Sequence, residues 1–215
     1  MTMMASHRGK YLVVGDSFVR RLRQYQWRRH GGDLYVHGRR VEMQGFLGST
    51  VLEVEQLMRQ TGPLLLQRYS VIVLSVGSND LCNFRRTPEA VAADLLDLAQ
   101  HLVTAFKVPK VVICQVTERQ STSHFSGIGL PEYNAAVDQV NQIIRVQCTD
   151  RLVYWKHHHG VLGCTHLHPE GIHLNDHGQM ALRASVSEQF LNGTSAHNRP
   201  FQCHYMVLRL KTKYT

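Results

Sequence analysis

Short runs of consecutive β-branched and aliphatic residues, separated by stretches of helical periodicity, constrain this chain more than any other feature. The clearest is Val71-Ile72-Val73-Leu74-Ser75-Val76. A strand with one face in water alternates apolar and polar residues. A strand that is apolar without interruption is buried on both faces, which is the situation in a parallel sheet covered by helices. Similar runs occupy residues 11–14, 111–116 and 152–155.

The stretches between them read as helices. Over residues 17–29, Phe18, Leu22 and Tyr25 fall at helical spacing, with Arg20, Arg21, Arg23 and Arg28 mainly on other faces. Val51, Val54, Leu57 and Met58 mark a second helix. Thr87-Pro88-Glu89 reads as a helix start, with Thr87 as cap and Pro88 at the first helical position, followed by a stripe of Val91, Leu95, Leu98 and Leu102. A further helix starts at about Pro131, with Tyr133, Val137, Val140 and Ile144 on one face. Asn175 or Asp176 caps a last helix that reaches about Leu191. Residues 34–37 and 41–44 read as strand or loop. The expected fold is α/β, a three-layer α/β/α sandwich around a mostly parallel sheet, flavodoxin-like in outline. The expected division is a short tail over 1–9, one domain over 10–195, and a C-terminal tail over 196–215. In that last tail, Met206-Val207-Leu208 reads either as an edge strand or as part of a disordered segment.

Bulk properties narrow the class. The chain has 215 residues, 43% of them hydrophobic, which suits one domain with a substantial core. No run approaches the roughly 20 apolar residues of a membrane-spanning helix, and residues 1–10 lack the apolar stretch of a secretory signal. A soluble intracellular, cytoplasmic protein is the expectation. The 5 cysteines are scattered and odd in number, which fits reduced thiols better than a disulfide framework. The formal charge of +8 favours acidic partners.

Chemistry-bearing residues cluster where the strands end. Ligand sites in open α/β sheets gather at the carboxyl ends of strands. Ser17, in Gly15-Asp16-Ser17, follows the first strand and opens the first helix, where backbone N–H groups and partial positive charge converge. A serine there is placed to attack a carbonyl; the plainer reading is a helix cap. Asn79, in Gly77-Ser78-Asn79-Asp80, follows the strand over 71–76 and offers an uncharged amide donor to an oxyanion, or else forms a turn. Gly48 lets its N–H approach a substrate closely, or simply makes a tight turn. His173, in Glu170-Gly171-Ile172-His173, is one of 14 histidines and is singled out by context. Imidazole takes a serine proton near neutral pH. Glu170 can bond the other ring nitrogen and fix its tautomer. Pro169 and Gly171 imply a bent loop that turns both side chains toward one pocket.

These segments resemble the blocks of the SGNH, or GDSL-like, hydrolases, a serine esterase family, over about residues 10–191. The resemblance implies Ser17 as nucleophile and His173 as base, with the Ser17 N–H, the Gly48 N–H and the Asn79 amide as the oxyanion hole. Glu170 stands where the family has Asp, so the extra methylene must be absorbed by a shifted loop. The implied function is hydrolysis of short acyl or acetyl esters, lipid-derived ones included, through an acyl-enzyme. Loss of a donor such as Asn79 is expected to cost about 100- to 1,000-fold in turnover. Gly-x-Ser-x-Gly is absent, which argues against the ordinary α/β-hydrolase fold.

Other readings compete. The departure at Glu170 leaves a weak or inactive domain as an alternative. Such a domain would act as a basic module on nucleic acid or an anionic lipid surface through Arg20, Arg21, Arg23, Arg28 and Arg29, with Arg39, Arg40, Tyr25 and Trp27 nearby. Some domains of this kind are carried by retrotransposon-encoded proteins, and the basic balance is compatible with such an origin. His157-His158-His159, Cys164, His166 and His168 fit no standard zinc spacing, so no metal is expected. Neither Gly-x-Gly-x-x-Gly nor a phosphate-loop lysine is present, so no nucleotide cofactor is expected.

Overall fold

The computed structural model describes residues 9–83, 85–121, 127–157 and 164–192. Its centre is a six-stranded sheet in the order β2-β3-β1-β4-β5-β6. The strands are β1 (Lys10–Gly15), β2 (Leu34–Val36), β3 (Arg39–Gly45), β4 (Tyr69–Ser75), β5 (Lys110–Cys114) and β6 (Leu152–Trp155). The helices are α1 (Ser17–His30), α2 (Val51–Thr61), α3 (Pro63–Leu66), α4 (Pro88–Thr104), α5 (Leu130–Gln147) and α6 (Asp176–Asn192). Pairing is parallel throughout except between β2 and β3. This is the expected mostly parallel three-layer architecture.

The uninterrupted strands are buried on both faces for the reason the sequence gives. Tyr11 and Val13 point to one face, where they meet α1 and α6 through Phe18, Leu22, Val186 and Phe190. Leu12 and Val14 point to the other, against α2, α4 and α5 through Val54, Leu95 and Val137. Tyr11 stacks on Phe190 with ring centroids 4.3 Å apart. Each fully buried aliphatic side chain of this kind contributes about 1.5–3 kcal/mol relative to exposure.

Helix ends follow local chemistry. Thr50 and Glu53 form a reciprocal capping box at the start of α2. Thr87 accepts the Ala90 N–H at α4. At α6 the cap is Asn175, which accepts the Gly178 N–H at 3.0 Å. Asp176 is not the cap; it sits one position inside and pairs with Arg28 and Arg29 of α1.

The segments over 34–37 and 41–44 resolve as a β-hairpin. His37 and Gly38, with φ of 52° and 70°, form its two-residue turn. Positive φ at both central positions matches the twist of antiparallel strands. Helix α3 is a single turn too short to leave a periodicity. Among the described residues no helix is long and apolar enough to cross a membrane. Cys82, Cys114 and Cys148 are free thiols. Met206-Val207-Leu208 lies outside the described residues.

Candidate active site

The register of the parallel strands assembles the site. Gly15 at the end of β1 lies opposite Gly45 of β3 and Ser75 of β4. Beyond the strands, the Asp16 N–H donates to the Ser75 carbonyl at 3.2 Å, and the Phe46 N–H to the Gly15 carbonyl at 2.9 Å. Adjacent strands lie about 4.8 Å apart, so the loops after β1, β3 and β4 open side by side. Gly45 is needed for this closeness, because a Cβ there would sit 2.0 Å from the Arg20 backbone nitrogen.

Asp16, not Ser17, caps α1, accepting the Phe18 N–H at 2.9 Å. The Ser17 hydroxyl is therefore free of the capping role. Its Oγ lies 3.3 Å from His173 Nε2, across 156 positions of sequence. The other imidazole nitrogen, Nδ1, is hydrogen-bonded to Glu170 Oε1. Ser17 is 8% exposed, and the His173 and Glu170 side chains 22% and 46%, so the line runs from floor to rim.

The loop that delivers His173 is built from tight turns. The Gly171 N–H bonds the His168 carbonyl, and the His168 N–H bonds the His173 carbonyl, each at 2.8 Å. The Gln120 N–H ties Gly171 to the loop after β5 at 2.8 Å. Gly171 has φ +71°, and a Cβ would come within 3.0 Å of Ser121, so both conformation and space demand glycine. This bend lets the longer Glu170 reach the imidazole.

Gly48 also has positive φ, +67°, but a Cβ there would meet nothing within 4 Å. The need is conformational, and its face is open. Among the described residues its N–H has no hydrogen-bond partner. Asn79 Nδ2 donates to the carbonyl of neighbouring Ser49 at 3.0 Å, which anchors the β4 loop to the β3 loop. The sequence-derived residues therefore meet at one end of the sheet: Ser17, His173 and Glu170 in one hydrogen-bonded line, Asn79 tied beside Gly48.

Three participants went unassigned in the sequence. Asp16 lies inside the serine motif, and its capping role appears only in the fold. Asp80 accepts the Val51 N–H with its two oxygens at 3.0 and 3.3 Å, fastening the Asn79 turn to the start of α2. Arg119 follows β5 and bonds Ser78 and Cys82. Its only legible signal is its place just past a strand end.

Burial pushes Asp16 up to about 7, against the Phe18 N–H and the Arg119 charge, which pull it down. Burial likewise pushes Asp80 up to about 6. Partial burial holds His173 below its ordinary value although its bond to Glu170 opposes this, and Arg21 and Arg119 push it further down. His173 is thus neutral, and able to accept a proton, at neutral pH. Burial would raise Glu170, but its bond to His173 and the nearby charges of His173 and Arg21 outweigh it and keep the carboxyl below its ordinary value.

His157, first of the run His157-His158-His159, is buried and bonds Ser185 Oγ at 3.0 Å. Among the described residues no three histidine, cysteine or acidic side chains are grouped to hold a metal ion. His158 and His159 lie outside the described residues.

A serine, a histidine and a carboxylate are thus bonded in that order at the carboxyl end of a parallel sheet flanked by helices. The chain belongs to the GDSL-like lipase/acylhydrolase family, whose model matches residues 13–181. Its fold is shared by a GDSL-like lipase from Bacteroides thetaiotaomicron (TM-score 0.65, 11% identity, 89% of this chain and 92% of that one). It is shared also by a lipase/acylhydrolase from Enterococcus faecalis (TM-score 0.60, 15% identity, 88% and 100%). An acetylxylan esterase from Geobacillus stearothermophilus aligns similarly (TM-score 0.57, 15% identity, 85% and 94%). No curated protein sequence matches the chain.

Proposed function

We propose that the protein is a serine esterase acting on short acyl or acetyl esters, lipid-derived ones included. Ser17 Oγ attacks the ester carbonyl as His173 Nε2 takes its proton. Glu170 holds the Nδ1 proton and stabilises the imidazolium that forms. The Ser17 and Gly48 N–H groups and the Asn79 amide receive the oxyanion. On collapse of the tetrahedral intermediate, His173 returns the proton to the leaving alkoxide and the acyl group stays on Ser17. Water, deprotonated by the same imidazole, then releases the acid.

The observation that carries this reading is the bonded line Ser17–His173–Glu170, closed over 156 residues of chain. Membership of an acylhydrolase family supports it. The acetylxylan esterase among the structural relatives suggests acetyl esters as first substrates.

The test is hydrolysis of p-nitrophenyl esters of increasing acyl length by wild type, Ser17→Ala and Asn79→Ala. Ser17→Ala is expected to fall to background, and Asn79→Ala to lose about 100- to 1,000-fold in kcat. Equal rates for wild type and Ser17→Ala end the proposal.

A second reading, binding to nucleic acid or an anionic lipid surface, rests on α1. Arg28 and Arg29 share the one carboxylate of Asp176, and Arg40 pairs with Asp33, so part of the positive charge of this surface is offset there. Arg20 and Arg23 line an open groove of about 510 Å³ with Trp27 and Phe46, and Trp27 is 52% exposed. Phosphate contacts there would weaken steeply with salt, whereas turnover of a neutral ester would not.

A further inference from the structure

Arg119 is 7% exposed although it carries a full charge. Nη2 donates to Ser78 Oγ at 2.8 Å and reaches Asn79 Oδ1 at 3.5 Å, and Nη1 donates to Cys82 Sγ at 2.9 Å. One guanidinium thus grips both ends of the turn that carries Asn79. It lies over the Tyr133 ring, 4.9 Å from the centroid. The Tyr133 hydroxyl shares a 3.0 Å hydrogen bond with the same Ser78 Oγ. The Arg119 backbone is clamped by Asn134, which accepts its N–H and donates to its carbonyl, both at 3.0 Å.

Among the described residues no carboxylate pairs with this cation, and its Nε is buried without a partner. Arginine cannot shed its proton, and a buried, unpaired charge is costly. Such a charge is stabilised when an anion forms nearby. It already acts on the site, since it disfavours protonation of His173 and favours ionisation of Asp16.

Asn79 is oriented by the same contacts. With Oδ1 toward Arg119 and Nδ2 on the Ser49 carbonyl, one amide hydrogen remains for a substrate oxygen. Turning the amide over would set NH₂ against guanidinium and oxygen against oxygen. A cation at Oδ1 also polarises the amide and strengthens the remaining N–H as a donor.

We propose that Arg119 is a positioning residue for the oxyanion hole: it fixes the turn and the sense of the Asn79 amide, and sets a buried positive charge behind the developing oxyanion. The proposal rests on the esterase reading and deepens it.

Steady-state kinetics on p-nitrophenyl acetate across pH, with thermal melting, would compare wild type, Ser17→Ala, Arg119→Met and Arg119→Lys. Arg119→Met is expected to lose about 100-fold in kcat with KM changed less than about threefold. Its acid limb of kcat/KM moves to higher pH, because His173 no longer faces the cation. Arg119→Lys keeps the charge but not the two-pronged grip; it loses about tenfold in kcat and keeps the wild-type limb. A folded Arg119→Met with kcat within about threefold of wild type overturns the proposal, and so does an equal loss in both variants with no shift of the limb, the mark of a mere structural tie. Should Arg119→Met fail to fold, Arg119→Lys decides alone: wild-type kcat overturns, a tenfold loss with an unmoved limb supports. Wild type no faster than Ser17→Ala removes the esterase reading itself and Arg119's role with it, an outcome distinct from the others.

Discussion

At the scale of the residue, the chemistry hinges on how two side chains reach one imidazole. Glu170 bonds His173 Nδ1 from the turn over residues 168–171. Glu170 raises the affinity of His173 for a proton, while partial burial and Arg21 lower it, with a net downward shift. The rate should therefore rise with pH through a midpoint below the ordinary histidine value of about 6.5. In Glu170→Gln the raising influence is gone: the midpoint should move to lower pH, and the plateau should fall by about 100-fold or more. A pH series of kcat/KM from acid to mildly alkaline conditions checks both, and a midpoint that rises instead would remove Glu170 as the partner of the imidazole. Ser17, Gly48, Asn79, Glu170 and His173 were all legible as residue types in short motifs. Arg119 was not, because a single arginine among 24 Lys and Arg residues carries no local pattern.

At the scale of the element, the site depends on how closely α1 lies on the strand ends. Gly45 has no room for a Cβ against the Arg20 backbone. Gly45→Ala should push α1 outward, lowering unfolding free energy by about 1–3 kcal/mol as overpacking does, and should displace Ser17 from His173. Urea unfolding read beside esterase turnover tests this; unchanged values in both would refute the packing argument. Helices α1, α2, α4 and α5 were legible because each carries an apolar stripe, and α4 carries a start signal as well in Thr87-Pro88. The β2–β3 hairpin was not, because its two-residue turn is His37-Gly38 rather than a commoner Asn-Gly pair. Asp176 was offered as a cap by residue type, yet ion pairing with α1 claims it instead.

At the scale of the whole molecule, buried acids beneath the site make stability depend on pH. Asp16 titrates at about 7 and Asp80 at about 6 in the folded state, both pushed up by burial from the ordinary 3.8. Between about pH 4 and 7 the folded protein holds protons that the unfolded chain has released, so these groups make stability fall as pH rises through that window. Asp16→Asn keeps the helix cap and removes the titration. Its melting temperature should match wild type at about pH 4 or below and exceed it by at least about 3 °C at pH 8; a constant difference across that range would rule out Asp16 as the titrating group. The amino-acid sequence by itself determined the sheet, its burial on both faces and the chemical types at the strand ends, because periodicity and short motifs are local. Which loops meet was decided only by the tertiary structure. Strand register aligned Gly15, Gly45 and Ser75, and folding carried His173 across the domain to Ser17. A buried charge such as Arg119 acquires meaning only from the neighbours that enclose it.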